Sequence, residues 1–554
     1  MVTNTNTALL HRKEWQMMTP APVASAAAMF VVSPGSDNQN KAMYVTSATV
    51  QYYYDHTQDG FTQLPSAALA GTFGAGACGA YSPWSITYTA NGGSTTTVTV
   101  AAATHNINGF AESETIEFIS SGINSGLRRK ITTVRNNAGT GTITLTFDVA
   151  VPTAVLNTHT FRLTTGSFFL MSAGTTAAGS WKRFDNGTYA WQASLVTTNL
   201  PATWATDGKA VSTAKVPNIL YNGTASSGST TTLVKTSAGW TTDQYKNNYV
   251  LILDGTGEGQ FVKITSNTTD TLTFATITTA PDATSVFQIT ESKPAYAIVS
   301  APDVFSATTL GKTGKAWTVN QWTNFQVRII SGTGIGQIRT IASNTATTLT
   351  VATWTTTPDA TSVFVIESNE DFIYLAGNAA VTMYHYSISA NTWTVMAPTT
   401  ARTGAPSTGM CLAWVSDTGV SDWANENDIQ DGRYIYSMRG GAGALIDRFD
   451  IAGGTAGAGA WTAITYIGTE TFTTGSSAFQ SGRYLYIRKD ATNRFFRYNI
   501  VGNDMEAFNT NTYTDGTAVL GQKVWVKNLD ATEQVKWVYS LMNTGTALHR
   551  IMII

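Results

Sequence analysis

The sequence predicts an all-β protein assembled from repeated modules, and three observations carry that reading. Thr accounts for 93 of the 554 residues, and a β-branched residue favours the pleated, half-buried surface of a strand. A stretch near residues 231–289 recurs 77 residues later without a gap. No long window shows a 3.6-residue apolar period bounded by helix caps. The 48 Gly and 15 Trp, set against few Lys and Glu, fit many short strands joined by turns. The chain is too long for one ordinary domain and long enough to bury large cores.

The duplication is legible residue by residue. Trp240 matches Trp317, and Gly255, Gly257, Gly259 and Gln260 match Gly332, Gly334, Gly336 and Gln337. Ser266-Asn267 matches Ser343-Asn344, and Thr271-Leu272-Thr273 matches Thr348-Leu349-Thr350. Pro281 to Phe287 matches Pro358 to Phe364 letter for letter. More than half of the aligned positions are identical, which marks a true internal duplication. A weaker third copy occupies roughly residues 94–163: Ile116 to Ile119, Gly122 and Gly126, Ile131-Thr132, Thr142 to Leu145, Val151-Pro152 and Phe161 appear in the same order. Each copy reads as four or five short strands forming a small closed β-barrel or sandwich, with alternation in Val250 to Leu253 and Phe261 to Ile264. The Gly-x-Gly-x-Gly segment joins two strands and requires positive φ. No helix follows it, so it is not a phosphate cradle. Asp254 and Glu258 hint at Ca²⁺, but the partner copy has Ser331 and Ile335 there.

Outside these copies runs a second repeat, about 50–65 residues long without its insertions. It consists of an apolar strand, a Gly-rich break, an aromatic-rich strand, a turn and a Trp. One copy is Phe372 to Gly377, Met383 to Ile388 and Trp393 to Pro398; the next is Arg433 to Gly441, Asp447 to Ile451 and Trp461. Arg483 to Ile487 with Phe496 to Ile500, Tyr52 to Asp55 with Phe61, and Lys182 to Asp185 with Trp191 are further versions. The pattern resembles the kelch family of β-propellers, with a full glycine doublet at Gly440-Gly441. That resemblance implies four-stranded blades arranged radially, about six of them, or seven. The last residues, Leu548 to Ile554, read as an inner or third strand lacking its Trp strand, which Trp15 to Pro20 supplies; such pairing of the termini removes exposed sheet edges. The expected organisation is propeller at 1–90, β module 1 at 91–165, a blade at 166–220, module 2 at 221–291, a propeller strand or connector at 292–304, module 3 at 305–367 and blades at 368–554.

The net charge of −2 and the 12% of charged residues argue against nucleic-acid binding and against attraction to anionic membranes. There is no apolar run of about 18 residues. Arg12, Lys13, Trp15, Gln16, Pro20 and Pro22 ahead of the short apolar run at 26–32 make a poor signal peptide. The expected place of folding is therefore a cytoplasm. Cys78 and Cys411 exclude a disulfide framework.

Nothing in the sequence is arranged for catalysis. His11, His56, His105, His159, His385 and His549 include no pair at metal-ligand spacing, and no Gly-x-Ser-x-Gly elbow occurs. Asp417, Asp422, Glu426, Asp428 and Asp431, with Trp414 and Trp423, form the densest acidic cluster, a candidate for Ca²⁺ or a sugar that reads more simply as a solvated propeller loop. The kelch resemblance admits copper radical oxidases, which need Tyr, His and a thioether-linked Cys at the ring axis; Cys78 and Cys411 look instead like small inner-strand residues without nearby His. A sialidase-type Asp box does not repeat. Of Tyr52, Tyr53, Tyr54, Tyr384, Tyr386, Tyr434, Tyr436, Tyr484 and Tyr486, most are expected between blades, with a few left for a glycan platform. No catalytic, cofactor-binding or metal residue is assigned.

The duplicated module, with its Gly-x-Gly-Gln turn, Thr-Leu-Thr strand and Pro-Asp-x-Thr-Ser-x-Phe closure, resembles small β modules of tailed-bacteriophage structural proteins. That resemblance implies a non-enzymatic virion component of the tail, neck or capsid surface, folded in the host bacterial cytoplasm. Its partners would be other virion proteins, in copies set by particle symmetry. The alternative is a propeller that binds a glycan or host receptor.

Overall fold

The computed structural model describes most of residues 77–509, and 16–17, 20, 29–31, 41–45, 52–55, 59–63, 524–528, 536–542 and 547–553; the larger intervals omitted between 77 and 509 are 102–114, 172–179, 201–208 and 416–431. Among the described residues every regular element is a strand and every printed pairing is antiparallel. The protein is all-β and β-propeller-like.

Four-stranded units recur along the chain. Three are continuous: Met29–Val31, Lys41–Val45, Tyr52–Asp55 and Gly60–Gln63; Cys411–Trp414, Tyr434–Met438, Leu445–Asp450 and Ala460–Thr465; and Ser477–Ser481, Tyr484–Lys489, Arg494–Asn499 and Asp504–Asn509. Two are interrupted after their first strand. Lys209–Ser212 pairs with Phe372–Ala376, which continues into Met383–Ser387 and Thr392–Val395. Cys78–Thr89 pairs with Thr160–Met171, which continues into Trp181–Asp185 and Ala190–Gln192. The remaining unit joins the two ends of the chain. Val524–Asn528, Lys536–Met542 and Ala547–Ile553 are completed by Gln16–Met17, with Gln16 opposite Arg550 and Met17 opposite His549.

An aromatic pair marks the units. A third-strand ring stands opposite a fourth-strand ring at Tyr54 and Phe61, Phe184 and Trp191, Tyr386 and Trp393, and Phe449 and Trp461. Their centroids are 4.8, 5.3, 5.1 and 5.0 Å apart, within the range where aromatic pairs add to burial energy. In three units the third-strand tyrosine donates its hydroxyl hydrogen to the side chain five residues on: Tyr54 to Asp59, Tyr386 to Asn391 and Tyr498 to Asn503, at 2.8, 2.8 and 2.9 Å. All three acceptors have positive φ, the conformation that Asn and Asp tolerate best after Gly.

Rings also join one unit to the next. Tyr53 meets Phe168, Trp181 meets Tyr386, Tyr374 meets Phe449 and Tyr436 meets Tyr498. The unit that unites the termini touches the strand Ser477–Ser481 through Val524–Asn528, and Tyr539 lies 6.0 Å from Tyr54.

The three modules share one strand order. In module 2 it is Ile219–Thr224, Val286–Thr290, Tyr249–Asp254, Phe261–Asn267, Thr271–Phe274, Thr232–Val234 and Ser227–Ser229. Module 3 repeats it from Ala297–Ser300 to Val304–Phe305. In the first module Cys78–Thr89 takes the leading position and Gly92–Gly93 the last. Among the described residues each therefore has seven strands rather than four or five. The two extra strands precede the duplicated stretch, where residues such as Asn222, Gly223, Ser226 and Gly228 carry the chemistry of a turn. Residues 292–304 hold Ala297–Ser300, which pairs with Val363–Glu367 of module 3. In the first module the two long strands serve both structures: Phe168 to Met171 pair within the four-stranded unit, while Thr160 to Thr164 also pair with Thr115–Ser120.

The glycine turn has the predicted backbone. Gly255 and Gly332 have φ of 78° and 74°, and a Cβ on either would meet the carbonyl oxygen of Thr284 or Thr361 at 2.1 Å. Gly332→Ala is expected to destabilise module 3 by roughly 3 kcal/mol, since both the left-handed strain and a backbone clash must be relieved. Hydrogen exchange should show earlier opening in residues 297–367 with module 2 unchanged.

The modules pack in series. Leu251 and Val286 of module 2 lie against the core of module 1, and the Asn222 amide donates to Asp148. Strand Phe261–Asn267 of module 2 touches Gln326–Ser331 of module 3. Module 3 shares a core with the four-stranded units, in which Trp322, Leu349 and Phe364 join Tyr374, Ile435 and Phe449. Gln321 donates Nε2–H to the Ala452 carbonyl at 2.9 Å, and the Ala456 N–H donates to the Asn320 carbonyl at 2.8 Å.

Candidate functional site

The polar residues that the duplication preserves are occupied by structure. Asn267 accepts the Tyr245 N–H at 2.7 Å and donates to the carbonyls of Thr241 and Thr268; Asn344 makes the same three bonds with Trp322, Thr318 and Thr345. Gln260 spans to both backbone groups of Thr279 at 2.8 Å, and Gln337 bonds Thr355 and Thr356 likewise. Asp282 and Asp359 accept from Thr284 and Thr361, and these bonds hold both carboxyls below the usual range. A further shared turn escaped the sequence comparison. Ser94, Ser229 and Ser306 each pair through Oγ with the hydroxyl three residues on, at 2.8 Å. The string Gly-Ser-Thr-Thr-Thr at 93–97 and 228–232 was the available signal.

The other sequence candidates are scattered. His11, His56 and His105, the acidic residues Asp417, Asp422, Glu426, Asp428 and Asp431, and Trp423 and Glu258 lie outside the described residues. Trp414 is buried and donates Nε1–H to the Gly432 carbonyl at 3.0 Å. His159 accepts the Leu156 N–H through Nδ1. His385 stacks on Phe372 at 4.5 Å, and burial pushes it down to about 4. His549 is buried opposite Met17.

The tyrosines alternate as the strands do. Tyr54, Tyr386, Tyr436 and Tyr486 are buried, while Tyr52, Tyr53, Tyr384, Tyr434 and Tyr484 are half-buried. Two of the half-buried rings are already covered by guanidinium groups: Arg448 over Tyr434 and Arg497 over Tyr484, both at 4.5 Å. A sugar would compete with these cations for the ring faces.

One polar constellation does converge. Cys78, Lys209, Cys411 and Ser477 are each the first residue of a first strand, in four different units. All four line one small pocket, with Gly79, Ala210, Leu412 and Ala478. Neither cysteine is in a disulfide, and both are buried. Burial pushes the Cys78 thiol up to about 12, against the opposing pull of the Lys209 ammonium. Among the described residues no histidine or tyrosine lines the pocket.

A second buried network lies in the unit that begins at Cys411. Asp447 receives Arg402 Nε at 2.6 Å and Arg439 Nη2 at 2.7 Å, and Arg402 also donates to Ser437 Oγ at 2.7 Å. The Arg402 guanidinium sits 4.7 Å from the Trp461 ring centroid. Burial lowers its proton affinity, while Asp447 raises it.

Neither a protein-family model nor a curated protein sequence matches the chain. Several solved structures resemble it distantly. BamB from Moraxella catarrhalis is 7% identical over 97% of this chain and 99% of that one, with a TM-score of 0.24. A structural-genomics protein of unknown function from Bacteroides thetaiotaomicron is 11% identical over 59% and 81%, at 0.21. Phage phi92 endosialidase is 11% identical over 90% of this chain and 55% of its own, at 0.15. With scores this low, the fold assignment rests on the strand order.

Proposed function

We propose that the chain is a non-enzymatic structural component of a tailed-bacteriophage particle, part of the tail, neck or capsid surface, that works through protein–protein interfaces. In this reading six blades form a closed ring, and three small barrels stand on it as a single docked series. The protein folds in the host bacterial cytoplasm and enters the virion in copies set by particle symmetry. The observation that supports it best is the use made of the repeated residues. Three modules share one strand order; modules 2 and 3 preserve Asn, Gln and Asp positions, and all three a Ser position, whose side chains hold turns. Selection has thus kept the module as a shape. The guanidinium-covered tyrosines lend the glycan-binding alternative less support.

Mass spectrometry of purified virions tests the proposal. The chain is expected at a fixed ratio to the major capsid protein, with crosslinks from the module surfaces to neighbouring virion proteins. Its absence from intact particles, or hydrolysis of a bacterial polysaccharide by the purified protein, would overturn the reading.

A further inference from the structure

The two duplicated modules are not used alike. Module 3 meets the four-stranded units through its loop 317–325, where Gln321 donates to the Ala452 carbonyl in the turn after Leu445–Asp450. That contact leaves Gln321 8% exposed and Ala452 fully buried. Module 2 carries the same loop at 240–248. Gln244 Oε1 accepts the Thr241 N–H as Gln321 Oε1 accepts the Thr318 N–H, so both side chains are set the same way. Asp243 and Asn320 share a positive φ, 58° and 59°. Yet Thr241, Thr242, Asp243 and Lys246 are exposed, and among the described residues the Gln244 amide nitrogen has no partner. The receiving turn has a copy as well. Asp450 Oδ1 accepts the Ala452 N–H, and Asn499 Oδ1 accepts the Val501 N–H. The Ile451 N–H donates to the Arg433 carbonyl, and the Ile500 N–H to that of Arg483. Val501 thus holds the place of Ala452 in the next unit, and at 61% it is the most exposed large apolar side chain among the described residues.

We infer that the module 2 loop docks on the turn 500–502 of a second copy of this chain, repeating between copies the contact that module 3 makes within one. Loop and turn are both exposed in the single chain, so they do not meet there. The turn at Ala452 is already taken by module 3, which leaves the one at Val501. The differences between the two loops also match the differences between the two turns. Phe325 lies over Gly457, where an added Cβ would stand 3.5 Å from its ring. The later turn is shorter, closing at Asn499 and Asp504 rather than at Asp450 and Ala460, and has no counterpart of Gly457; module 2 correspondingly has Asn248 in place of Phe325. Charge follows the same rule. Arg433 is held by Asp450, whereas Arg483 is exposed and its unit has the neutral Asn499 at that position. Module 2 supplies Asp243 where module 3 has the neutral Asn320. The Asp243 pair with Lys246 is long, at 3.8 Å, and exposed, so it yields readily to a better partner. Loop and turn are different surfaces: exchange between two copies gives a two-fold dimer, and one-way docking a ring or filament.

Sedimentation velocity of the full chain at low ionic strength tests the contact. The interface is small, so a dissociation constant on the order of 100 µM is expected, and the average mass should rise with concentration through that range. Val501→Glu should abolish the rise and leave the thermal midpoint unchanged, since the side chain faces water. Asp243→Arg should weaken association by about threefold, and Asp243→Arg combined with Arg483→Asp should restore it. Oxidation of a mixture of Thr242→Cys and Val501→Cys proteins should give a crosslinked pair; Val319→Cys, the matching position in module 3, should not crosslink to Val501→Cys. A chain that stays monomeric at several times that concentration, association that survives Val501→Glu, or a charge exchange that restores nothing would each overturn the inference. Should Val501→Glu lower the midpoint, the crosslinks decide: equal yields from positions 242 and 319 count against the contact. Each of these outcomes leaves the virion reading to its own test, because the contact between copies does not depend on it.

Discussion

Deletion of residues 2–19 is expected to lower the thermal midpoint of the full chain and to make it self-associate. Gln16–Met17 is the only described strand on its side of Ala547–Ile553, and its pairing brings the N-terminal segment onto the C-terminal one. Removing it strips backbone partners from Arg550 and His549 and uncovers His549, now only 2% exposed. The lost hydrogen bonds and buried area amount to roughly 2–4 kcal/mol. The bared edge of Ala547–Ile553 then becomes a template for pairing with another chain. Calorimetry should show the lower midpoint, light scattering the association, and a synthetic peptide of residues 2–19 should reverse both. An unchanged midpoint in the truncated protein would show that the terminal pairing contributes nothing to the fold.

That pairing was legible because each half of the unit is incomplete by itself. The C-terminal segment Leu548 to Ile554 reads as an inner or third strand without the Trp strand expected beside it, and Trp15 to Pro20 reads as such a strand with no partner nearby in the sequence. The duplication was legible for a different reason: two copies of one sequence must fold alike, so Gly255 and Gly332 predicted each other's turn. Other features depended on register, which residue order alone does not supply. The tyrosine-to-Asx contact recurs at a spacing of five at Tyr54, Tyr386 and Tyr498. The residue opposite each tyrosine varies, being Phe61, Trp393 and Met505, so a search for a spaced Trp sees only part of the set. The first two strands of module 2 were missed because their Gly, Ser and Asn residues also suit loops, and those of module 3 because four and two residues give too little alternation to mark a strand. The pocket of Cys78, Lys209, Cys411 and Ser477 could not have been read at all. Its members are separated by whole units and meet only because each opens a first strand. The sequence did mark the two cysteines as small inner-strand residues, and they lie in first strands; what it lacked was their convergence.

The network around Asp447 predicts the largest single-residue effect. Asp447 and Arg402 each have side chains 1% exposed, and Arg439 is 13% exposed, so one carboxylate serves two guanidinium groups away from water. The network clasps the connection before Cys411–Trp414, through Arg402, to the second strand through Ser437 and Arg439 and to the third through Asp447. Asp447→Ala leaves Arg402 buried with only Ser437 and the Trp461 face, and removing one partner of a buried ion pair costs about 3–5 kcal/mol. Arg402→Met alone should cost less, because Asp447 keeps both bonds to Arg439. The pair Arg402→Met with Asp447→Leu should recover much of the loss, since the buried charges leave together and Arg439 retains a route to solvent. A double-mutant cycle measured by denaturant unfolding is therefore expected to show coupling of more than about 1 kcal/mol between positions 402 and 447. Additive losses would mean that the clasp is held by packing on Trp461 rather than by charge.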